Sequence, residues 1–256
     1  MLGEWRFGSW THYYCVTTLL KTPEATLLAA FIGLVLVGYS VFKGRSDTRS
    51  LTMLLILGIP AISIFASVSL QGGFNQHHRY VMQIYPVMFA LAASLCSRNV
   101  RSLLRFAGIV LTFSMIASTL RVSPHYLGYF NSVCGGPMNG WRLLGFSNVD
   151  WGQDLLLVDD WIKSHPNCRP LAFNLSLWNA HRNGELFGLP NNLAQSLPGD
   201  LTQKDIIDEG WYIVNVRALY NLPGQPGLQY LQKLEPVDRI GYSFHVYRVG
   251  GIANSD

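Results

Sequence analysis

The spacing of apolar and polar residues divides the chain into two halves. Up to about residue 121 the apolar residues run in long unbroken stretches, at 25–42, 51–70, 80–97 and 102–120. The first three contain no charged side chain, and the fourth has only Arg105 near its start. Each approaches the ~20 residues that a helix needs to cross a ~30 Å hydrocarbon layer. A helix packed on a water-soluble core would carry a polar stripe with a period near 3.6, and LLAAFIGLVLVGYSVF and LTMLLILGIPAISIFASVSL show none. The pattern therefore predicts about four transmembrane helices rather than buried helices of a soluble protein. Pro60 and Pro86 fall inside two of the stretches, where proline kinks a spanning helix and frees backbone groups for neighbours to satisfy. The opening residues lack the basic and apolar regions of a signal peptide. Trp5, Trp10, Tyr13 and Tyr14 instead suit the headgroup level, so residues 1–23 are expected to form an external interfacial segment.

Beyond residue 121 the apolar runs shorten, and Pro, Gly, Asn and Asp appear between them. Residues 152–164 read as an amphipathic helix with Leu155, Leu156, Val158, Trp161 and Ile162 on its buried face. Strand-like runs follow at 170–177, 211–216 and 243–249, with helical patterning at 201–209 and 228–234. The expected architecture is a membrane all-α bundle over 24–121 followed by a small extracytoplasmic α/β domain over 122–256.

Charge sharpens the division. Only 13% of residues are charged, about half the share usual in soluble domains. Residues 1–121 hold ten Lys/Arg against Glu4, Glu24 and Asp47, a balance of +7; residues 122–256 hold nine bases against twelve acids, a balance of −3. The bases are scattered singly, which argues against a nucleic-acid partner. Lys43, Arg45 and Arg49 flank the first connection, and Arg98, Arg101 and Arg105 the third. The positive-inside rule places both in the cytoplasm. The N-terminus, the connection at 71–79 and everything after Arg121 are then external, as expected for an inner (plasma) membrane protein.

Candidate chemistry is sparse. His77-His78-Arg79-Tyr80 opens the third stretch. Adjacent imidazoles do not share a helix face, so paired metal ligation is weak. Arg79, with His78 and Tyr80 beside it, could hold an anionic phosphate through the planar guanidinium fork, or Arg79 could simply snorkel. The segment Ser147-Asn148-Val149-Asp150-Trp151-Gly152-Gln153-Asp154 sets two acids four residues apart. A structural role for Asp150 at a helix N-terminus is weighed against acid–base work. Asp159 and Asp160 are expected on a solvated face. Of the four cysteines, Cys96 is expected in the membrane and Cys15, Cys134 and Cys168 outside; spacing leaves a Cys134–Cys168 bridge open. Asn174-Leu-Ser fits a glycosylation acceptor only as a three-residue match. No metal-type CxxC, phosphate loop or HExxH is present.

Four pieces carry a family resemblance: LGEWRFGSWTHYYCVTTLLKTP, HHRYVMQIYPVMFAL, PHYLGYFNSVCGGPMNGWRLLGFSNVDWGQDL and LEPVDRIGYSFHVYRV. Together they resemble the C-terminal part of bacterial membrane glycosyltransferases of the GT-C type, family 39 (protein mannosyltransferase-like). The resemblance implies a polyprenyl-phosphate-linked sugar as donor and chemistry on the extracytoplasmic side; the need for positive groups beside the leaving phosphate then makes Arg79, with His78 and Tyr80 beside it, the candidate donor-phosphate residues. Asn148, Asp150, Trp151, Gln153 and Asp154 then form a structural or acceptor-side motif. The family's catalytic acids lie in an external loop of a longer N-terminal bundle. Glu4 is the only acid of the opening segment here, so no catalytic residue is assigned. The expectation is a portion inactive alone: a truncated frame, a split subunit completed by a separate N-terminal half, or a non-catalytic descendant. No cofactor site is evident in the chain, and a divalent metal in the complete enzyme stays open. The alternative is a non-enzymatic membrane anchor or scaffold bearing an external binding domain. A transporter subunit is weaker still, since no intramembrane acid marks a pathway.

Overall fold

The structure is a computed structural model that describes residues 2, 10–71, 77–97, 100–168, 171–174, 209–219 and 230–250. The chain separates into two compact units: Arg6–Gly140, and Trp141–Asp256 together with Met1–Trp5. The segment from residue 122 to Gly140 therefore belongs with the apolar helices.

The first unit is a helical bundle. It contains α1 (Tyr13–Lys21), α2 (Glu24–Phe42), α3 (Thr48–Leu70), α4 (Ile84–Ala93) and α5 (Ser102–Leu120). Of these, α2, α3 and α5 are long and apolar enough to cross a membrane. Asp47 starts α3 by accepting hydrogen bonds from the Arg49 and Ser50 backbone N–H groups.

The third expected span, 80–97, is not one continuous α-helix. A 3-10 turn (His78–Val81) precedes α4, and a second (Ser94–Cys96) follows it, leaving Ile84–Cys96 as a shorter apolar helix. Pro86 supplies the reason. It has no N–H to offer the carbonyl four residues back, and its ring would crowd that carbonyl. The α-helix therefore begins only two residues ahead of Pro86, and Tyr85 N–H bonds three residues back, to Met82 O at 3.1 Å. Three membrane-length helices, rather than four, are what the bundle contains among the described residues.

Side-chain placement in the bundle inverts the soluble pattern. Along α2 the buried positions are Ala25, Thr26, Ala29, Ala30 and Gly33, while Leu28, Phe31, Leu34 and Val35 are exposed. Small residues let helix backbones approach closely, as membrane helices do. A Cβ added at Gly33 would lie 1.9 Å from the Leu91 carbonyl oxygen on α4. On α1, Tyr13, Tyr14, Thr17 and Thr18 turn inward and Leu19 and Cys15 turn outward. On α5 only Gly108 is buried, and Leu103, Phe106 and Phe113 stand exposed. Large apolar groups outside and hydroxyls inside is the arrangement that an apolar surrounding favours.

The second unit is a four-stranded sheet with one helix packed on it. Strands β1 (Leu171–Asn174), β2 (Gly210–Asn215), β3 (Asp238–Ile240) and β4 (Phe244–Val249) lie in the order β1-β2-β4-β3. β1 runs parallel to β2, and the other pairings are antiparallel. Helix α6 (Leu155–Ser164) covers one face, its Leu155, Val158 and Trp161 packing on Ile213, Ile240, Phe244 and Val246. A single helical turn, α7 (Val216–Leu219), follows β2. Strands form at the three expected runs, with 170 and 175–177 outside the described residues. β3 was not expected, because three residues are too few to show alternation. Leu156, expected in the core, is 54% exposed, and Ile162 packs only at the margin of the core. Residues 201–208 of the first expected helix, and 228–229 of the second, also lie outside the described residues.

Candidate functional site

The residues with chemistry in the bundle unit gather where α1, the α1–α2 joint, the 78–81 turn and the 122–140 segment meet. His78 sits at the centre. Its Nδ1 lies 3.2 Å from Thr17 Oγ1 and its Nε2 lies 2.8 Å from the Tyr85 hydroxyl. Tyr85 OH is in turn 2.9 Å from Thr22 Oγ1. Thr17 and Thr22 are fully buried. Burial, helped by the nearby Lys21 charge, pushes the His78 imidazole down to about 4, so near neutral pH it carries no charge.

Arg79 is exposed, with its guanidinium carbon 5.4 Å from the Tyr80 ring centroid. Tyr80 also meets His77 edge to face at 5.4 Å. The three expected phosphate residues therefore divide. Arg79 and Tyr80 form a surface pair, whereas His78 turns into the protein as a neutral hydrogen-bonding group.

Lys21 ends α1, and sequence reasoning did not single it out. Its Nζ donates to the Leu127 carbonyl at 2.7 Å and lies 4.1 Å from the Phe130 ring centroid. Burial lowers this ammonium to about 7. Asn131, from the YFNSVCGGP block, secures the same helix end. Its Nδ2 donates to Leu19 O at 2.5 Å and Thr22 O at 3.1 Å, and its backbone N–H to Leu20 O at 3.0 Å. These are carbonyls that a helix C-terminus leaves unsatisfied. Gly135 and Gly136 follow with φ of 77° and 73°, a tight left-handed pair that glycine adopts without penalty. Ser132 Oγ donates to Glu24 Oε1 at 2.5 Å, tying the segment to the start of α2. The segment is thus a clasp on α1 and α2. No local pattern announces it, since its partners lie about a hundred residues away.

The 148–154 motif performs a related task in the sheet unit. Asp150 is not an N-cap or first-turn residue of α6. It is buried, accepting from Gly152 N–H at 3.0 Å and from Asn215 Nδ2 at 2.9 Å at the end of β2. Burial raises its carboxyl above the usual range, and the neighbouring Asp154 adds to this. Asp154 occupies the N-cap position but makes no side-chain capping bond. Its carboxylate instead accepts from Ser243 Oγ at 2.6 Å and Tyr242 N–H at 3.1 Å in the β3–β4 turn. Gly241 in that turn has φ 57°, and a Cβ there would lie 2.3 Å from Asp154 Oδ2.

The remaining motif residues fold onto their own loop. Gln153 bonds Trp151 N–H and Val149 O, the Trp151 indole donates to Ser147 O, and Asn148 Nδ2 donates to Gly145 O. Asp159 pairs with Lys163, and Asp160 is exposed.

None of the four cysteines forms a disulfide. Cys134 does not bridge to Cys168: its Sγ donates to Asn131 Oδ1 at 3.0 Å. Among the described residues no group of three His, Cys, Asp or Glu could hold a metal ion. Asn174 ends β1, and the rest of its glycosylation triplet lies outside the described residues. No family model, curated protein or solved structure matches the chain.

Proposed function

We propose that this chain is the C-terminal portion of an integral-membrane glycosyltransferase that takes its sugar from a polyprenyl-phosphate donor. In this reading it resides in the inner membrane with the sheet unit on the extracytoplasmic side. Inverting glycosyl transfer needs a carboxylate to deprotonate the acceptor and positive charge to stabilise the departing phosphate. The chain's contribution is the second. Arg79 carries the reading: a permanently charged, exposed guanidinium on the turn that leads into α4. Guanidinium meets phosphate with two parallel hydrogen bonds, and Tyr80 stacks beside it. The expected outcome for Arg79→Ala, in the full chain reconstituted in lipid nanodiscs, is a loss of polyprenyl-phosphate binding on the order of tenfold or more. Unchanged affinity would remove Arg79 from the site.

A non-enzymatic membrane scaffold is favoured by a different observation. Asp150 and Asp154, the two acids of the 147–154 segment, are both buried and engaged in tying the sheet unit together. Transfer of labelled sugar from the polyprenyl donor separates the two readings: turnover by the chain, alone or with a complementing half, excludes the scaffold.

A further inference from the structure

The hydrogen bonds around His78 have a single consistent direction. Thr17 Oγ1 lies 3.2 Å from the Tyr14 carbonyl, and a carbonyl oxygen can only accept. The Thr17 hydroxyl proton is therefore committed to Tyr14, so Thr17 must accept from His78. That fixes the proton on Nδ1. In a neutral imidazole the other nitrogen is then an acceptor, so the Tyr85 hydroxyl donates to Nε2. With its own proton committed, Tyr85 accepts from Thr22. The chain runs Thr22 to Tyr85 to His78 to Thr17 to Tyr14 and ends on a group that cannot pass a proton on. This is a lock rather than a relay. It fastens the 78–81 turn to α1 on one side and, through Tyr85 and Thr22, to α4 and the α1–α2 joint on the other. The residue that follows His78 on this pinned turn is Arg79.

We propose that His78 is a positioning residue: as the neutral Nδ1–H tautomer it holds the 78–81 turn so that Arg79 is presented to a phosphate, without touching the phosphate itself. This rests on the reading of Arg79 as the phosphate-binding group. It also moves His78 from the expected set of phosphate contacts to the support behind them.

A double-mutant cycle tests it, with the full chain in nanodiscs and polyprenyl phosphate as the probe. His78→Phe is expected to weaken binding on the order of tenfold, and to have no further effect when Arg79 is already alanine. Tyr85→Phe, a milder change, should weaken binding in the same Arg79-dependent way. His78→Asn, which can still donate toward Thr17, should recover part of the loss. Nitrogen-15 NMR of histidine-labelled protein gives an independent readout: Nδ1 protonated and Nε2 bare at neutral pH, a preference that Tyr85→Phe should keep because Thr17 still has to accept from Nδ1. If Arg79→Ala weakens binding but His78→Phe is silent or adds its full effect on top, His78 does not act through Arg79 and the inference fails alone. If Arg79→Ala is itself silent, the phosphate reading fails and the positioning role falls with it. An Nε2–H tautomer would overturn the lock whatever the binding data show.

Discussion

The bundle and sheet units handle buried polarity in opposite ways. In the sheet unit the large apolar side chains go inward: Ile213, Phe244 and Val246 meet Leu155 and Val158 across an apolar interface. The buried polar groups there include two carboxylates, Asp150 and Asp154, each engaged by backbone and side-chain donors. In the bundle most large apolar side chains of α2, α3 and α5 point out. The interior holds Thr17, Thr22 and Asn131, with His78, Tyr85 and the end of Lys21 beside them, joined by hydrogen bonds to backbone and to one another. The rule is the same in both units, since each hides whatever its surroundings solvate poorly. The difference teaches that the surroundings differ. Water suits the exterior of the sheet unit, and hydrocarbon suits that of α2, α3 and α5.

The comparison can be broken at its strongest point by a charge on the outward face of the bundle. Phe113→Lys on α5 is expected to cost about 3 kcal/mol of bilayer insertion, read as the fraction that stays membrane-integrated. Insertion at the wild-type level would mean that this face is wet. Next in size, Asp154→Ala should cost roughly 2–3 kcal/mol in the sheet unit, because Ser243 and Tyr242 N–H would be left buried without their acceptor. Tryptophan-monitored denaturation measures it.

A subtler effect concerns Asp150. Its folded-state carboxyl lies above the unfolded value, so the folded protein holds that proton more tightly. The stabilisation is complete below the unfolded value and is lost as pH climbs through the folded one. The unfolding free energy should therefore fall with rising pH across that window, and Asp150→Asn should remove this part of the slope. An identical pH profile in the variant would show that folding does not shift the Asp150 carboxyl. The smallest change sharpens the contrast with Phe113: Leu156→Lys, on the exposed face of α6, should alter stability by no more than about 0.5 kcal/mol.

Legibility in the sequence followed the range of the interactions. α2, α3 and α5 were readable because each is an uninterrupted apolar run, and the runs that became β2 and β4 carry β-branched and aromatic residues between turn signals. Pro86 is visible too, but it sets where α4 begins instead of kinking a longer span. Leu156 was misplaced because periodicity alone could not say how wide a stripe the sheet would cover. The site was less legible than the fold. His78 and Arg79 are adjacent in sequence, yet one turns inward and the other outward, and only the positions of Thr17 and Tyr85 decide which. Asp150 and Asp154 could be marked as a pair, but their partners, Asn215 and Ser243, lie 65 and 89 residues on.

The Asn131 clasp sets a timetable for synthesis. Its side chain reaches a carbonyl 112 residues earlier in the chain, with α2, α3, α4 and α5 all made in between. At about 5–20 residues per second, α1 waits on the order of ten seconds before the segment that closes its end leaves the ribosome. During that interval the carbonyls at the end of α1 must be satisfied by water or lipid headgroups. Bundle assembly is therefore completed last at its beginning, and substitutions at Asn131 should be felt first as slow or incomplete maturation of newly made chains.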